Sequence, residues 1–289
     1  MTTEVNRQAY HRRIQEVVGY ICSHLDDDLS VDNLSAVAGF SKFHFHRQFT
    51  EYTGFAAAEF VRLARLKRAA YQLVFQPDRR IIDIAFDAGF AAPESFTRAF
   101  KDAHGQTPSE FRQAPQWLPW KSDRDLPTPT RSNSMSPSIV DFQATRFAVL
   151  EHRGPAETLI GSVARFIEWR RSCRDSPVAA CRTMGIAYDD PRTTPPGDFR
   201  FDICGELAGE LHANDAGVIE KTIPALRCAV ARHVGSTDSI GKTVHDLYAK
   251  WLPGSGEQPG DFPVFFHYIE RVPKVAEHEQ VTDVYLPLR

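Results

Sequence analysis

The chain has 289 residues, more than one average domain and enough for two. Its 42% hydrophobic and 25% charged residues give a globular balance with no apolar run long enough to span a membrane, and Met1–Arg13 lacks the apolar stretch of a secretory signal, so a cytoplasmic protein with no membrane partner is expected. The net charge of −3, with 14 Lys and Arg against 14 Asp and Glu in the first 115 residues, excludes a globally basic nucleic-acid binder, and the five cysteines without a CxxC pair exclude a zinc ribbon or disulfide framework.

In chain order, Val17, Ile21 and Leu25 mark one face of a first helix. A short second helix follows with Leu34, Val37 and Ala38 on its apolar side and Ser30 as its N-cap. A third is expected over about Ser41–Tyr52 and a long fourth over Ala57–Phe75, which Pro77 stops. A further helix is expected over Pro93–His104, with Pro93 suited to its first turn.

This half repeats itself. Ala38-Gly39-Phe40 matches Ala88-Gly89-Phe90, and Phe45, Arg47, Phe49 and Gly54 match Phe96, Arg98, Phe100 and Gly105, the offset moving from 50 to 51. Each copy is a helix, a Gly turn wanting positive φ, and a second helix, which is a helix-turn-helix unit. Residues 1–114 are therefore expected to form an all-α domain with two such units.

Residues 115–136 are rich in Pro, Ser and Thr and are expected to form a linker; Trp117 and Trp120 within it call for an apolar surface to dock on. Residues 137–289 change to an α+β pattern, with strands near Arg146–His152, Gly185–Tyr188, Arg227–His233, Val264–Tyr268 and Thr282–Leu286, and helices near Leu159–Cys173 and Ile240–Trp251. Val149–His152 with Gly154 matches Val230–His233 with Gly235, and Asp202-Ile203 matches Asp283-Val284, both at an offset of 81. A duplicated strand–helix–strand–strand unit follows, with a cleft between its halves as the natural place for a ligand.

In a helix-turn-helix unit the second helix enters the major groove and its first residues meet base edges. Lys42, Phe43, His46 and Arg47 are the outward positions of the first such helix; Glu94, Ser95 and Arg98 are those of the second. Arg47 and Arg98 are equivalent, and a guanidinium there can pair with guanine in two hydrogen bonds worth about 1–3 kcal/mol of discrimination. The connecting helix of about 19 residues spans about 28 Å, close to the ~34 Å between successive major-groove faces. Arg62, Arg65, Lys67 and Arg68 on it, with Lys101 and Arg112, are expected to meet phosphates, as are Arg12 and Arg13.

Gly39-Phe40-Ser41-Lys42-Phe43-His44-Phe45-His46-Arg47-Gln48-Phe49 resembles the first unit of the AraC/XylS transcriptional regulators. Ile84-Ala85, Gly89-Phe90, Ser95-Phe96-Thr97-Arg98-Ala99-Phe100-Lys101 and Gly105-Gln106-Thr107-Pro108-Ser109-Glu110-Phe111-Arg112 resemble their second unit. Thr107 to Glu110 also reads as a capping box. The resemblance implies double-stranded promoter DNA and RNA polymerase as partners, most often for activation.

The C-terminal half resembles the GyrI-like effector-binding domain through Leu150-Glu151-His152-Arg153-Gly154-Pro155, Gly185-Ile186-Ala187-Tyr188-Asp189-Asp190-Pro191, Ile223-Pro224-Ala225 and Thr282-Asp283-Val284-Tyr285-Leu286-Pro287-Leu288. The resemblance implies a small apolar or cationic effector bound between the repeats. Aromatic faces suit such ligands, and Trp169, Tyr188, Trp251, Phe266, Tyr268 and Tyr285 are the expected lining. Phe266 stands where many relatives carry Glu, which weighs against cation selectivity unless Glu168 or Glu270 substitutes.

His44, His46, His152, His233 and His267 lack ligand spacing, so neither metal nor cofactor is expected. No nucleophile, base and orienting group share a readable spacing, so no catalytic residue is assigned. His152 in its repeated turn is read as structural. A C-terminal domain that grips a protein partner, or a hydrolase fused to a DNA-binding module, are the alternatives.

Overall fold

The computed structural model describes residues 2–117, 136–271 and 275–289. It divides into two compact units, Met1–Thr130 with Ala276–His278, and Arg131–Val275 with Glu279–Arg289.

The first unit is helical: α1 Thr2–Ser23, α2 Val31–Ala38, α3 Lys42–Thr53, α4 Ala57–Phe75, α5 Ile81–Asp87, α6 Pro93–His104 and α7 Pro108–Gln113. Local chemistry sets the ends. Ser30 and Ser41 cap α2 and α3 by accepting from the Asn33 and His44 amides, and Thr107 and Glu110 form a reciprocal capping box at α7. Gly39 and Gly89 hold the two turns at φ 62° and 80°, where a side chain would be strained. Phe45, Phe49 and Phe60 are buried with Ile14, Val17, Ile21 and Leu34, and Phe96, Phe100 and Phe111 are equally buried in the second copy. Truncating any of these rings to Ala is expected to cost about 3–5 kcal/mol. Trp117 docks on this unit, 4.6 Å from Tyr71 and 6.1 Å from Phe111 between ring centres, while Trp120 lies outside the described residues.

The second unit is built on an eight-stranded antiparallel sheet, its longer elements being β1 Ser138–Phe142, β2 Thr145–Arg153, α8 Leu159–Ser172, β3 Thr183–Ala187, β4 Arg200–Glu206, β5 Ile219–Ile223, β6 Leu226–Val234, α9 Ile240–Asp246, β7 Val264–Glu270 and β8 Val281–Pro287. The expected single helix to Trp251 is interrupted: α9 passes into a π-turn, Leu247–Trp251, before a last helical turn.

The strand order is β1-β6-β8-β7-β3-β4-β2-β5. Each edge strand therefore pairs with the other repeat, β1 with β6 and β5 with β2. Only Gln143 and Ala144 join β1 to β2, a link of roughly 11 Å at most. In a flat sheet those strands would stand roughly 29 Å apart at about 4.8 Å per strand, so the sheet curls until its edges approach. The curl explains why both faces are buried. Phe147, Val149, Met184, Ile186, Cys204 and Phe265 fill its inside, while Ala148, Leu150, Ile203, Phe266 and Val284 form a second cluster with Phe166 of α8 and Leu247.

The duplicated histidines are structural. His152 Nε2 lies 3.2 Å from the Pro155 carbonyl and Nδ1 3.0 Å from Ser162 Oγ; His233 Nε2 lies 2.9 Å from the Ser236 carbonyl and Nδ1 2.8 Å from Thr243 Oγ1. Both pin a strand end to the start of the following helix, and burial lowers the pKa of each imidazole.

Candidate functional site

The two recognition helices present their starts to solvent. Lys42, Phe43, His46 and Arg47 on α3, and Glu94, Ser95 and Arg98 on α6, are all exposed, Phe43 to 91%. Phe45 and Phe49, Phe96 and Phe100 anchor the opposite faces, so burial of every third or fourth residue fixes which side chains point out. Lys42 is held by Asp32 at 2.6 Å. His46, Arg47 and Arg98 carry no hydrogen bond or ion pair among the described residues.

The expected phosphate contacts divide. Arg62 and Lys101 are exposed and unpaired among the described residues. Lys67, by contrast, is only 4% exposed. Arg65, Arg68 and Arg112 each have N–H groups that donate to acceptors within this unit. Arg65 donates to the Leu25 and Asp27 carbonyls at 2.9 and 3.2 Å, and Arg112 to the Arg79 carbonyl at 2.7 Å. Arg68 forms a two-point pair with Asp26 at 3.0 and 2.7 Å and also reaches the Asp87 carbonyl at 2.8 Å. Arg13 stacks over Phe40, 5.4 Å from its ring centre.

The six aromatics expected to line one cleft lie on two faces of the sheet. Trp169, Trp251, Phe266 and Tyr268 belong to the cluster under α8 and α9. Tyr188 and Tyr285 belong to the inside of the curl, a correction that follows from alternation along β3 and β8. Tyr285 stacks on Phe265 at 4.7 Å, and the Tyr188 hydroxyl donates to Asp202 at 2.9 Å. Asp202 has no exposed surface and also receives Lys221 at 2.6 Å and Arg153 at 3.0 Å. Burial, and then Asp202, pushes the Tyr188 hydroxyl up to about 12.

On the helix side the Phe201 and Phe266 rings stack at 6.3 Å, with Tyr268 another 6.3 Å from Phe266. Burial raises the pKa of the Tyr268 hydroxyl. Beneath them the absent side chain of Gly185 lets the rings close in: a Cβ there would stand 2.6 Å from the Phe201 ring and 3.0 Å from the Tyr268 oxygen. Sequence reasoning missed Phe201 and Gly185; the available signal was the 81-residue offset, which makes Gly185 the counterpart of Phe266. Glu168 and Glu270 are both exposed, and Glu168 is paired with Arg171 at 3.1 Å, so neither is buried against the cluster. A separate depression of about 580 Å³, lined by Arg153, Asp189, Thr193, Phe199 and Arg200 among others, was also not anticipated. The Arg153 and Arg200 guanidiniums lie over the Tyr188 ring, 5.8 and 5.5 Å from its centre.

Two helix-turn-helix units on a shared helix, followed by a duplicated strand–helix–strand–strand sheet, define a DNA-binding transcriptional regulator of the AraC type with a GyrI-like domain. The chain belongs to the GyrI-like family: the model of its small molecule binding domain matches residues 135–289, and that of a helix-turn-helix domain matches residues 34–114. It is 45% identical over 151 residues to the probable transcriptional regulator YgiV of Escherichia coli (strain K12), covering 52% of this chain and 94% of that one. It is 40% identical over 104 residues to the right origin-binding protein of the same organism, covering 36% of each chain. A cryo-EM structure of an EcmrR–DNA complex aligns with 90% of this chain and 98% of its own at 13% identity, with a TM-score of 0.46. The assignment as a regulator rather than an enzyme rests on the relatives' class.

Among the described residues, no helix is long and apolar enough to cross a membrane.

Proposed function

We propose that the chain reads promoter DNA in two neighbouring major grooves and that a small molecule bound on the helix side of the sheet controls it. The observation that carries the DNA reading is the pair Arg47 and Arg98, which occupy equivalent exposed positions near the starts of α3 and α6 and have no internal partner among the described residues. Each can give two hydrogen bonds to a guanine, while His46, Ser95 and Glu94 meet neighbouring bases and Lys42 and Phe43 flank them. Arg62, Lys101, Arg12 and Arg13 supply phosphate contacts. Regulation then acts on RNA polymerase at the promoter, within the cytoplasm.

The effector is an apolar compound that displaces or stacks among Trp169, Trp251, Phe201, Phe266 and Tyr268. Phe266 in place of a carboxylate favours a neutral apolar ligand over a cation. The test is a mobility shift of the protein's own promoter fragment together with a thermal-melt screen of small apolar and cationic compounds. Specific retardation that Arg98→Ala removes, and a melt raised by about 2.7 kcal/mol at a hundredfold excess over Kd, support the reading. Retardation indifferent to sequence refutes the DNA part. A flat melt across the screen refutes the sensor part and favours a protein partner.

A further inference from the structure

We propose that Arg65 and Arg68 are positioning residues that lock the two helix-turn-helix units together and thereby set the half-site spacing the protein accepts. The inference rests on the two-groove reading above and goes beyond it. Both arginines were expected to face DNA, yet each turns its guanidinium onto the protein.

The acceptors come from both units. Arg68, on the connecting helix α4, binds the Asp26 carboxylate in the loop between α1 and α2 through two N–H groups at 3.0 and 2.7 Å. The nitrogen at 2.7 Å also donates to the carbonyl of Asp87, the last residue of α5, at 2.8 Å. One guanidinium thus joins the first unit to the second. Arg65, three residues earlier, binds the Leu25 and Asp27 carbonyls on either side of Asp26 at 2.9 and 3.2 Å. Its remaining terminal nitrogen lies 2.9 Å from where a Cβ on Gly89 would stand, so Arg65 also covers the turn of the second unit. Gly89 at φ 80° satisfies two demands at once, the turn itself and the close approach of this side chain.

The rest of the joint is α4 itself. The first unit packs on α4 through α3, and the second through α5, α6 and α7. Without the clamp, the units can twist about that helix. Two recognition helices held rigidly present the second half-site at a fixed distance and phase. A loosened joint spreads its effective concentration over many geometries. Spacing selectivity is therefore the property the clamp controls. An exposed Arg–Asp pair contributes little to stability, so its loss leaves folding nearly unchanged.

The experiment uses the full chain. A bipartite site is first enriched from random duplex DNA with the wild-type protein, and then rebuilt with its half-sites moved by one, two and five base pairs. Affinity is measured for wild type, Arg68→Ala, Arg65→Met and Asp26→Asn, with thermal melts to confirm folding. The wild type is expected to lose at least tenfold on the shifted sites. The variants are expected to weaken on the selected site and to discriminate between spacings by less than threefold, while binding an isolated half-site as the wild type does. Asp26→Asn, which keeps the side-chain shape, gives the same trend. Variants with the wild-type spacing profile overturn the clamp and leave the two-groove reading standing. A wild type that enriches only single half-sites overturns both.

Discussion

Gly185 and Phe266 are register partners on β3 and β7 at the centre of the sheet, and they are also equivalent residues of the two repeats, 81 positions apart. The pseudo-twofold axis therefore passes between them. Duplication placed one residue at both positions; here one carries a ring and the other nothing. That asymmetry makes room for the Phe201 ring over Gly185 and for the stack it forms with Phe266.

Gly185→Ala tests the use of that room. Its Cβ would stand 2.6 Å from Phe201, too close for any rotamer to relieve without moving the ring. The variant is expected to lose about 1–3 kcal/mol, the usual cost of overpacking a core, and to lose melting stabilisation by any apolar compound that binds the wild type. Calorimetry of the whole chain measures both. A melt and a ligand shift equal to the wild type would contradict the account.

Arg170 offers a second test. It is 1% exposed, and its guanidinium reaches the carbonyls of Ser176 and Cys181 at 2.7 and 3.1 Å and Thr183 Oγ1 at 2.6 Å. Burial pulls its pKa down to about 10, so it stays charged at neutral pH. Arg170→Met keeps the apolar stem but strands those acceptors in the core. The expected cost is at least about 3 kcal/mol in denaturant unfolding, from several buried acceptors left unpaired. A change within 1 kcal/mol would show that the segment repacks without it.

Acid should weaken the first unit through His104. It is 7% exposed, its ring lies 4.4 Å from that of Phe100, and burial lowers it from 6.5 to about 4. The folded state holds the neutral ring while the unfolded chain protonates first. Its contribution is therefore complete above pH 6.5 and is lost progressively as pH falls towards 4, on the order of 3 kcal/mol in all. His104→Phe is expected to flatten the difference between unfolding at pH 7 and pH 4.5. An unchanged difference would assign the acid loss to other groups.

Much of this was legible in the chain. Ser30, Ser41 and the Thr107–Glu110 box announce helix starts because capping is local chemistry, and the buried phenylalanines at helical spacing set the outward faces of α3 and α6. The internal acceptors of Arg65 and Arg68 were not legible, for the opposite reason. The carbonyls that Arg65 binds lie about 40 residues away, and spacing within one helix says nothing of them. β1 and β5 escaped notice because each buries only its last residue, Phe142 and Ile223, and leaves no alternation to detect. Tyr188 and Tyr285 were grouped with Phe266 because the face a strand residue takes depends on where the strand begins, a boundary the sequence places only to within a residue or two.

The central claim is that α3 and α6 each read one groove, and methylation interference on the enriched duplex with wild type, Arg47→Ala and Arg98→Ala tests it most directly. The account predicts two patches of guanine-N7 interference one helical turn apart, with Arg47→Ala erasing one and Arg98→Ala the other, each at a cost of about 1–3 kcal/mol in affinity. A single patch, or two that both variants leave intact, would contradict it.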